Sequence, residues 1–275
     1  MIKNNILIIL SFFWLVNIVS CGSSSSGTTG NQSAIQAEEG SALSLTQVPS
    51  SKSDDFSGDG ALLNFITNNE SDLPDISRVG GRYRANLTDN TSDMTLHFNN
   101  MQGRLDAKRL SFPFEFIARN IGIGTQADSQ APRRENGSVI FAGVQVHVLD
   151  LNSRNSSHIV VGHRGGTQFT IEGKNTVDGV SSVDDMGADI APDGRADIRV
   201  VGHSDKTISI YWQLPNQVND NWQLYNGYDS GNGRLPGVAP IYDADVYVGL
   251  ITYAQNTADI PFVGTCDAIE IYESQ

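Results

Sequence analysis

From Tyr83 to the C-terminus the chain returns to one local pattern. Short runs of Val, Ile, Phe, Tyr and Thr alternate with clusters of Gly, Asn, Asp and Pro, and no segment holds a helical apolar period beyond about two turns. A chain written this way must bury its apolar surface by pairing strands. The runs predict strands at 79–87, 93–99, 112–119, 138–150, 157–163, 168–173, 195–202, 207–214, 245–254 and 265–273. Only Ala61–Thr67 reads as a helical turn. Successive strand residues point to opposite faces, so in 138–150 the row Ile140, Ala142, Val144, Val146, Val148 opposes Phe141, Gln145 and His147. In 195–202, Ala196, Ile198 and Val200 likewise oppose Arg195, Asp197 and Arg199. Strands with one dry and one polar side form antiparallel sheets that pack on the dry side. The expected fold class is therefore all-β, a two-sheet antiparallel β-sandwich.

The first residues, MIKNNILIILSFFWLVNIVSC, have a cationic start at Lys3 and an apolar run from Ile6 to Val16. That run falls short of the ~20 residues a membrane span needs and suits a secretory signal. Ile18-Val19-Ser20-Cys21 resembles the bacterial lipobox, with Ile where Leu is commonest. The resemblance implies that 1–20 is a signal peptide, that Cys21 is lipidated, and that acyl chains hold the protein to a membrane at about 0.8 kcal/mol per buried methylene. Gly22, where Asp would signal inner-membrane retention, points to the outer membrane of a Gram-negative envelope. An ordinary signal peptide with an incidental cysteine is the alternative. Once Cys21 is acylated, Cys266 has no disulfide partner in the chain. Residues 21–52 are rich in Ser, Gly and Thr and read as a flexible tether; 53–275 reads as the folded domain.

A net charge of -13 and a pI near 4.6, with Lys and Arg scattered, argue against nucleic acid as a partner, because phosphate backbones require a basic stripe.

Asp54-Asp55-Phe56-Ser57-Gly58, the Gly81-Arg82-Tyr83 strand, and a closing stretch from Phe262-Val263-Gly264 to Glu270-Ile271-Tyr272 are similar to the concanavalin A-like lectin/glucanase sandwiches. That resemblance implies a jelly roll of two large sheets, one of which displays a face for polysaccharide or glycan. A pair of immunoglobulin-like domains is the structural alternative.

The chemistry is less specific. Retaining glycoside hydrolysis needs two carboxyls about 5 Å apart, which this fold family places on a Glu-x-Asp-x-x-Glu or Glu-x-Asp-x-Glu strand. The nearest string, Asp267 to Glu273, has the wrong spacing. Gln145-Val146-His147 resembles the Gln-Ile/Val-His strand of alginate-lyase-like enzymes. The resemblance implies His147 as base toward C5 of a uronate, with an amide and an arginine neutralising the carboxylate and a tyrosine as acid. The companion motifs are missing: Arg133-Arg134-Glu135 sits in a Pro/Asn/Gly loop and Tyr247-Val248-Gly249-Leu250 lacks the lysine.

His158 and His163 are five apart and point to opposite faces unless Gly162 forms a bulge, which disfavours a shared metal. Gln145, His147, Arg164 and Lys174 are expected to form a polar patch suited to sugar hydroxyls or a uronate. Trp212 follows Ile208 and Ile210 in alternation and reads as core. Trp222, Tyr225 and Tyr228 lie in an Asn/Gly-flanked loop where rings can face a ligand. No cofactor is expected, since surface acids need no ion; Asp184, Asp185 and Asp189 offer oxygens for calcium as the alternative, and Asp193-Gly194 reads as a turn. The expected function is that of a lipid-anchored envelope protein that binds carbohydrate through the Gln145/His147 face and the Trp222–Tyr228 loop. A polysaccharide-cleaving enzyme of the same fold, or a structural envelope protein that contacts no glycan, are the alternatives. All of this requires the polar face to be open to solvent.

Overall fold

The computed structural model describes residues 48–68, 70, 73, 75–86, 104–124, 139–164, 169–187, 189–227, 232–255 and 262–274. All lie in the compact unit 42–275. Cys21, the signal segment, 21–47, the strand expected at 93–99 and Tyr228 lie outside the described residues.

Fifteen strands are described: β1 (Ile66–Asn68), β2 (Ile76–Arg78), β3 (Tyr83–Asn86), β4 (Arg104–Ser111), β5 (Phe114–Gly124), β6 (Val139–His147), β7 (Ser156–Arg164), β8 (Thr170–Val177), β9 (Val180–Asp185), β10 (Arg195–Gly202), β11 (Ile208–Gln213), β12 (Gln223–Leu224), β13 (Asp245–Gln255), β14 (Val263–Cys266) and β15 (Ala268–Glu273). They form a two-sheet antiparallel β-sandwich. One sheet has seven strands in the order β1-β4-β13-β6-β7-β8-β9; the other has eight, β12-β11-β10-β5-β14-β3-β2, with β15 also on β5.

The core is the dry row of each strand. Ile140, Ala142, Val144 and Val146 of β6 and Ile159 and Val161 of β7 meet Phe114, Phe116 and Ala118 of β5, Ile198 and Val200 of β10, and Ile210 and Trp212 of β11. Each such side chain contributes about 1.5–3 kcal/mol by leaving water, so the alternation in the sequence is what chooses the inward face. Asp193-Gly194 is a turn, with Gly194 at φ 67° and its N–H donated to Ala191 O at 2.8 Å.

Several elements differ from the sequence-based expectation. The strand expected at 112–119 is β5; β4 is not among the expected strands, nor are β1, β2, β9 and β12, and 265–273 is divided into β14 and β15. In β4 the polar residues Arg104, Asp106 and Lys108 share the inward side with Leu110, so its pattern reads as surface. They are satisfied locally: Arg104 pairs with Asp106 at 3.1 Å, and Asp106 accepts from Tyr83 Oη and Thr67 Oγ1, each at 2.9 Å. Nor is 61–67 a helical turn. Ile66–Asn68 joins the ladder of β4, and the Lys108 ammonium sits 3.7 Å over the Phe65 ring.

The closing strand meets the start of the described chain. Asp54 bridges to Ile269, Ser50 N–H donates to Ile271 O at 2.6 Å, and Lys52 Nζ pairs with Glu273 at 2.6 Å. β5 carries a bulge opposite β10, where the register shifts between Ala196 and Ile198. Asn120 takes φ 48° there, and its N–H donates to Asp197 Oδ1 at 2.7 Å.

Candidate functional site

Register brings the candidate residues of the seven-stranded sheet together. Gln145 of β6 pairs with His158 of β7, which pairs with Lys174 of β8; on the other side Gln145 faces Gly249 of β13. One row across four strands therefore reads Gly249, Gln145, His158, Lys174. The neighbouring row carries Ile251, Gly143, Val160 and Glu172, and the next carries Tyr253, Phe141, Gly162 and Thr170. A Cβ on Gly143 or Gly162 would strike backbone of the adjoining strand, so both positions exclude side chains from this face.

Into that space lean the longer side chains. Tyr253 Oη donates to Glu172 Oε1 at 3.1 Å. The His158 ring stacks on Tyr253 at 5.6 Å between centroids, with its Nε2 3.8 Å from Glu172 Oε1, and Lys174 Nζ stands 5.7 Å from the Tyr253 ring centre. Phe141 closes the cluster at 5.6 Å from Tyr253. The result is an aromatic floor with an acid, a base and a cation around it.

Burial here overturns the expectation of an open, wet face. Gln145 is 0% exposed, His147 1% and Lys174 1%. The reason is that this face also carries apolar groups, Val139, Phe141, Val160, Ile251 and Tyr253, which form a second hydrophobic cluster outside the main core. Inside it, both polar atoms of the Gln145 amide and Nε2 of His147 are buried with no hydrogen-bond partner. Leaving such an amide unpaired costs about 1–3 kcal/mol. His147 Nδ1 lies 2.7 Å from the Val148 carbonyl. A carbonyl only accepts, so Nδ1 carries the proton and Nε2 keeps its lone pair. Burial pushes the His147 pKa below its ordinary value, against the opposing pull of the Val148 hydrogen bond and the nearby Ser153 backbone, and the neutral ring is the physiological form.

His163 points to the core side, edge-on to Phe169 at 5.8 Å. Gly162 pairs in unbroken register with Phe141 and Thr170, so His158 and His163 do face opposite ways. Arg164 pairs with Val139 in the ladder; its side chain is outside the described residues.

The aromatic segment does not join this site. Tyr225 is fully buried in the main core, receiving the Gly173 N–H and donating to Asp184 O, each at 3.0 Å. Burial raises its pKa. It is a core tyrosine that ties β8 to β9, which corrects its expected place in a ligand-facing loop. Trp222 is half-buried on the outer face of the other sheet, with the guanidinium of Arg119 5.3 Å and that of Arg199 5.9 Å from its ring. The main core lies between it and Gln145, so the two cannot touch one ligand.

The acid-rich loop uses its carboxylates on its own backbone. Asp184 Oδ1 accepts from Asp185 N, Asp185 Oδ1 from Gly187 N, and Asp189 Oδ1 from Phe169 N. Among the described residues no group of three or more His, Cys, Asp or Glu converges as a metal site. Glu172 and Tyr253, the residues that sequence reasoning missed, were findable by parity: Glu172 and Lys174 alternate against Ile171, and Tyr253 against Val248 and Leu250.

Compared with protein-family models and with curated proteins, the chain matches none. Among solved structures it is similar to a bifunctional GH43-CE protein of Bacteroides eggerthii (15% identity, 81% of this chain and 27% of that one, TM-score 0.47). It is also similar to a legume lectin-like domain from Entamoeba histolytica (13%, 76% and 90%, 0.42) and to a Bacillus licheniformis beta-glucanase (11%, 81% and 97%, 0.40). The chain spans about a quarter of the length of the Bacteroides protein.

Proposed function

We propose that this is a concanavalin A-like sandwich that binds a saccharide on the outer face of its seven-stranded sheet, held to the cell envelope by a lipid on Cys21. The observation that carries the reading is the Gln145 amide, buried with its donor and acceptor both unused. A buried polar group without a partner is costly enough to need a reason, and a sugar, whose adjacent hydroxyls donate and accept side by side, supplies both missing bonds. Gln145, Phe141, Tyr253 and Lys174 are all 0–1% exposed, so the covered face must open before a pyranose can meet the two rings and a uronate the Lys174 charge.

Binding is tested with a glycan array and calorimetry on the full chain. Gln145→Ala is expected to lose at least tenfold in affinity, since one charged or bidentate hydrogen-bonded contact contributes about 1.5–3 kcal/mol. Flat responses to neutral and acidic glycans would remove the proposal. Anchoring is tested by metabolic labelling with palmitate, which Cys21→Ala should abolish.

A second reading, acid–base cleavage of a uronate polymer, is favoured by one specific feature. The His147 tautomer presents an unprotonated, unpartnered Nε2 two residues from the unpartnered amide. A base in that state can take a proton from carbon next to a carboxylate to which the Gln145 NH2 donates a hydrogen bond. Cleavage would appear as unsaturated ends absorbing in the ultraviolet and would vanish in His147→Ala. Absence of new ends on alginate-type and pectin-type polymers leaves binding alone.

A further inference from the structure

A cleft of about 550 Å³ opens at a different place, between the β10–β11 hairpin and the segment 232–242. It lies within the range of about 300–1,000 Å³ typical of small-ligand sites. Its walls are built rather than incidental. Tyr242 Oη donates to Ser157 Oγ at 2.7 Å, which donates to Asn175 Oδ1 at 2.6 Å, while Asn175 Nδ2 donates to Pro236 O at 3.0 Å. This chain of buried bonds fastens the 235–242 strap to β7 and β8. Ile210 N–H donates to Gly233 O at 3.0 Å, Gly233 N–H donates to Tyr225 O at 3.1 Å, and Gly237, at φ 72°, lies so close to Ser182 that no side chain fits. The cleft is thus preformed.

Its lining is divided by chemistry. Leu235, Pro240 and Tyr242 make an apolar wall, and the hairpin side presents Lys206, Thr207 and Ser209, with Arg234 across from it. Five arginines among the described residues are paired with a carboxylate: Arg82 with Asp267, Arg104 with Asp106, Arg109 with Asp245, Arg119 with Glu270, Arg199 with Glu115. Lys206 and Arg234, like the exposed Arg154 elsewhere, make no side-chain hydrogen bond or ion pair among the described residues, and they share one cleft. The one carboxylate of the loop 203–207, Asp205, is turned onto Thr207, accepting from its N–H at 3.0 Å and its hydroxyl at 2.7 Å. Two uncommitted cations on one cleft, in a chain of net charge -13, are an electrostatic exception.

We infer that this cleft is a second binding site, for an acidic saccharide unit. Its carboxylate or sulfate meets Lys206 and Arg234, and its apolar ring face lies on Pro240 and Leu235. The two anionic groups share the chemistry of bidentate recognition by a guanidinium, so the experiment separates them. The full chain is titrated calorimetrically with a galacturonate tetrasaccharide, a sulfated galactose tetrasaccharide and neutral galactotetraose. One acidic probe is expected to bind, more weakly as salt rises from about 0.05 to 0.5 M, and the neutral one to bind at least tenfold more weakly. The double variant Lys206→Gln/Arg234→Gln should lose at least tenfold for that probe with an unchanged melting temperature, because both side chains are exposed. Gln145→Ala should leave this binding intact. Affinity unchanged in the double variant, equal binding of the neutral probe, or no binding of either acidic probe overturns the inference. Loss in Gln145→Ala with no change in the double variant assigns the ligand to the sheet face and likewise overturns it, while supporting the proposed function.

Discussion

The two outer faces of the sandwich are both polar, and they are polar in opposite ways. On the eight-stranded sheet the charges around Arg119 and Arg199 are paired, while Asn120 Oδ1 and Arg78 Nε are buried without a partner. Arg119 reaches Glu270 at 2.7 Å, Asp220 at 2.8 Å and Asp197 at 3.4 Å. Gln213 Nε2 donates to Asp197 and Asp220, and Arg199 pairs with Glu115 at 2.8 Å while lying 5.0 Å from the Tyr211 ring centre. On the seven-stranded sheet a glutamine amide and a histidine nitrogen are buried without partners. A charge cluster that satisfies itself has little left for a ligand; an amide with donor and acceptor both unpaired away from water has capacity in reserve. The polar content of a strand does not separate these cases, but its hydrogen-bond partners do.

This contrast can be broken by substitution. The largest effect tests the frame both faces share: Val146→Asp places a carboxylate in the main core and is expected to cost more than about 4 kcal/mol, abolishing the cooperative thermal transition. An unchanged melting curve would mean that β6 faces the other way. Next, Arg119→Ala should destabilise by roughly 1–3 kcal/mol in chemical denaturation, because Asp197 is largely buried beside it, without altering glycan affinity. Gln145→Leu should do the reverse. Removing an unpartnered amide leaves stability unchanged or raises it by about 1 kcal/mol, while ligand binding is lost. If Gln145→Leu destabilised the domain as much as Arg119→Ala, the amide would be structural and the contrast would fail.

The smallest expected effect is a pH dependence. The pKa of His147 is lowered in the folded state relative to 6.5. At pH above 6.5 both states are neutral and the ring contributes no difference. As pH falls below 6.5 the unfolded chain takes up the proton first, so stability declines until the folded ring also protonates. Denaturation midpoints of His147→Gln should therefore fall less steeply than wild type below pH 6.5.

Much of the fold was legible. Strand 195–202 was located to the residue, and the parity of Ile140 to Val146 identified the core face. β4 was not legible, because Arg104, Asp106 and Lys108 face inward, where alternation expects apolar groups, and the compensating partners Tyr83, Thr67 and Leu73 come from distant segments. The site was half legible. Gln145 and Lys174 stand out in their own strands, yet their alignment through His158 depends on a register across three strands that no local pattern encodes. Tyr225 misled for a related reason. Its Asn and Gly neighbours mark a loop correctly, but that loop folds inward over Gly173, the one position in β8 with room for the ring.

The stitch between Ser50–Asp54 and β15 bears on mechanics. Traction applied upstream of Ser50 would load the Lys52–Glu273 and Ser50–Ile271 contacts before any strand of either sheet. These few bonds would peel one at a time, so that a pull is spent at the hem of the fold while the strands of both sheets keep their registration.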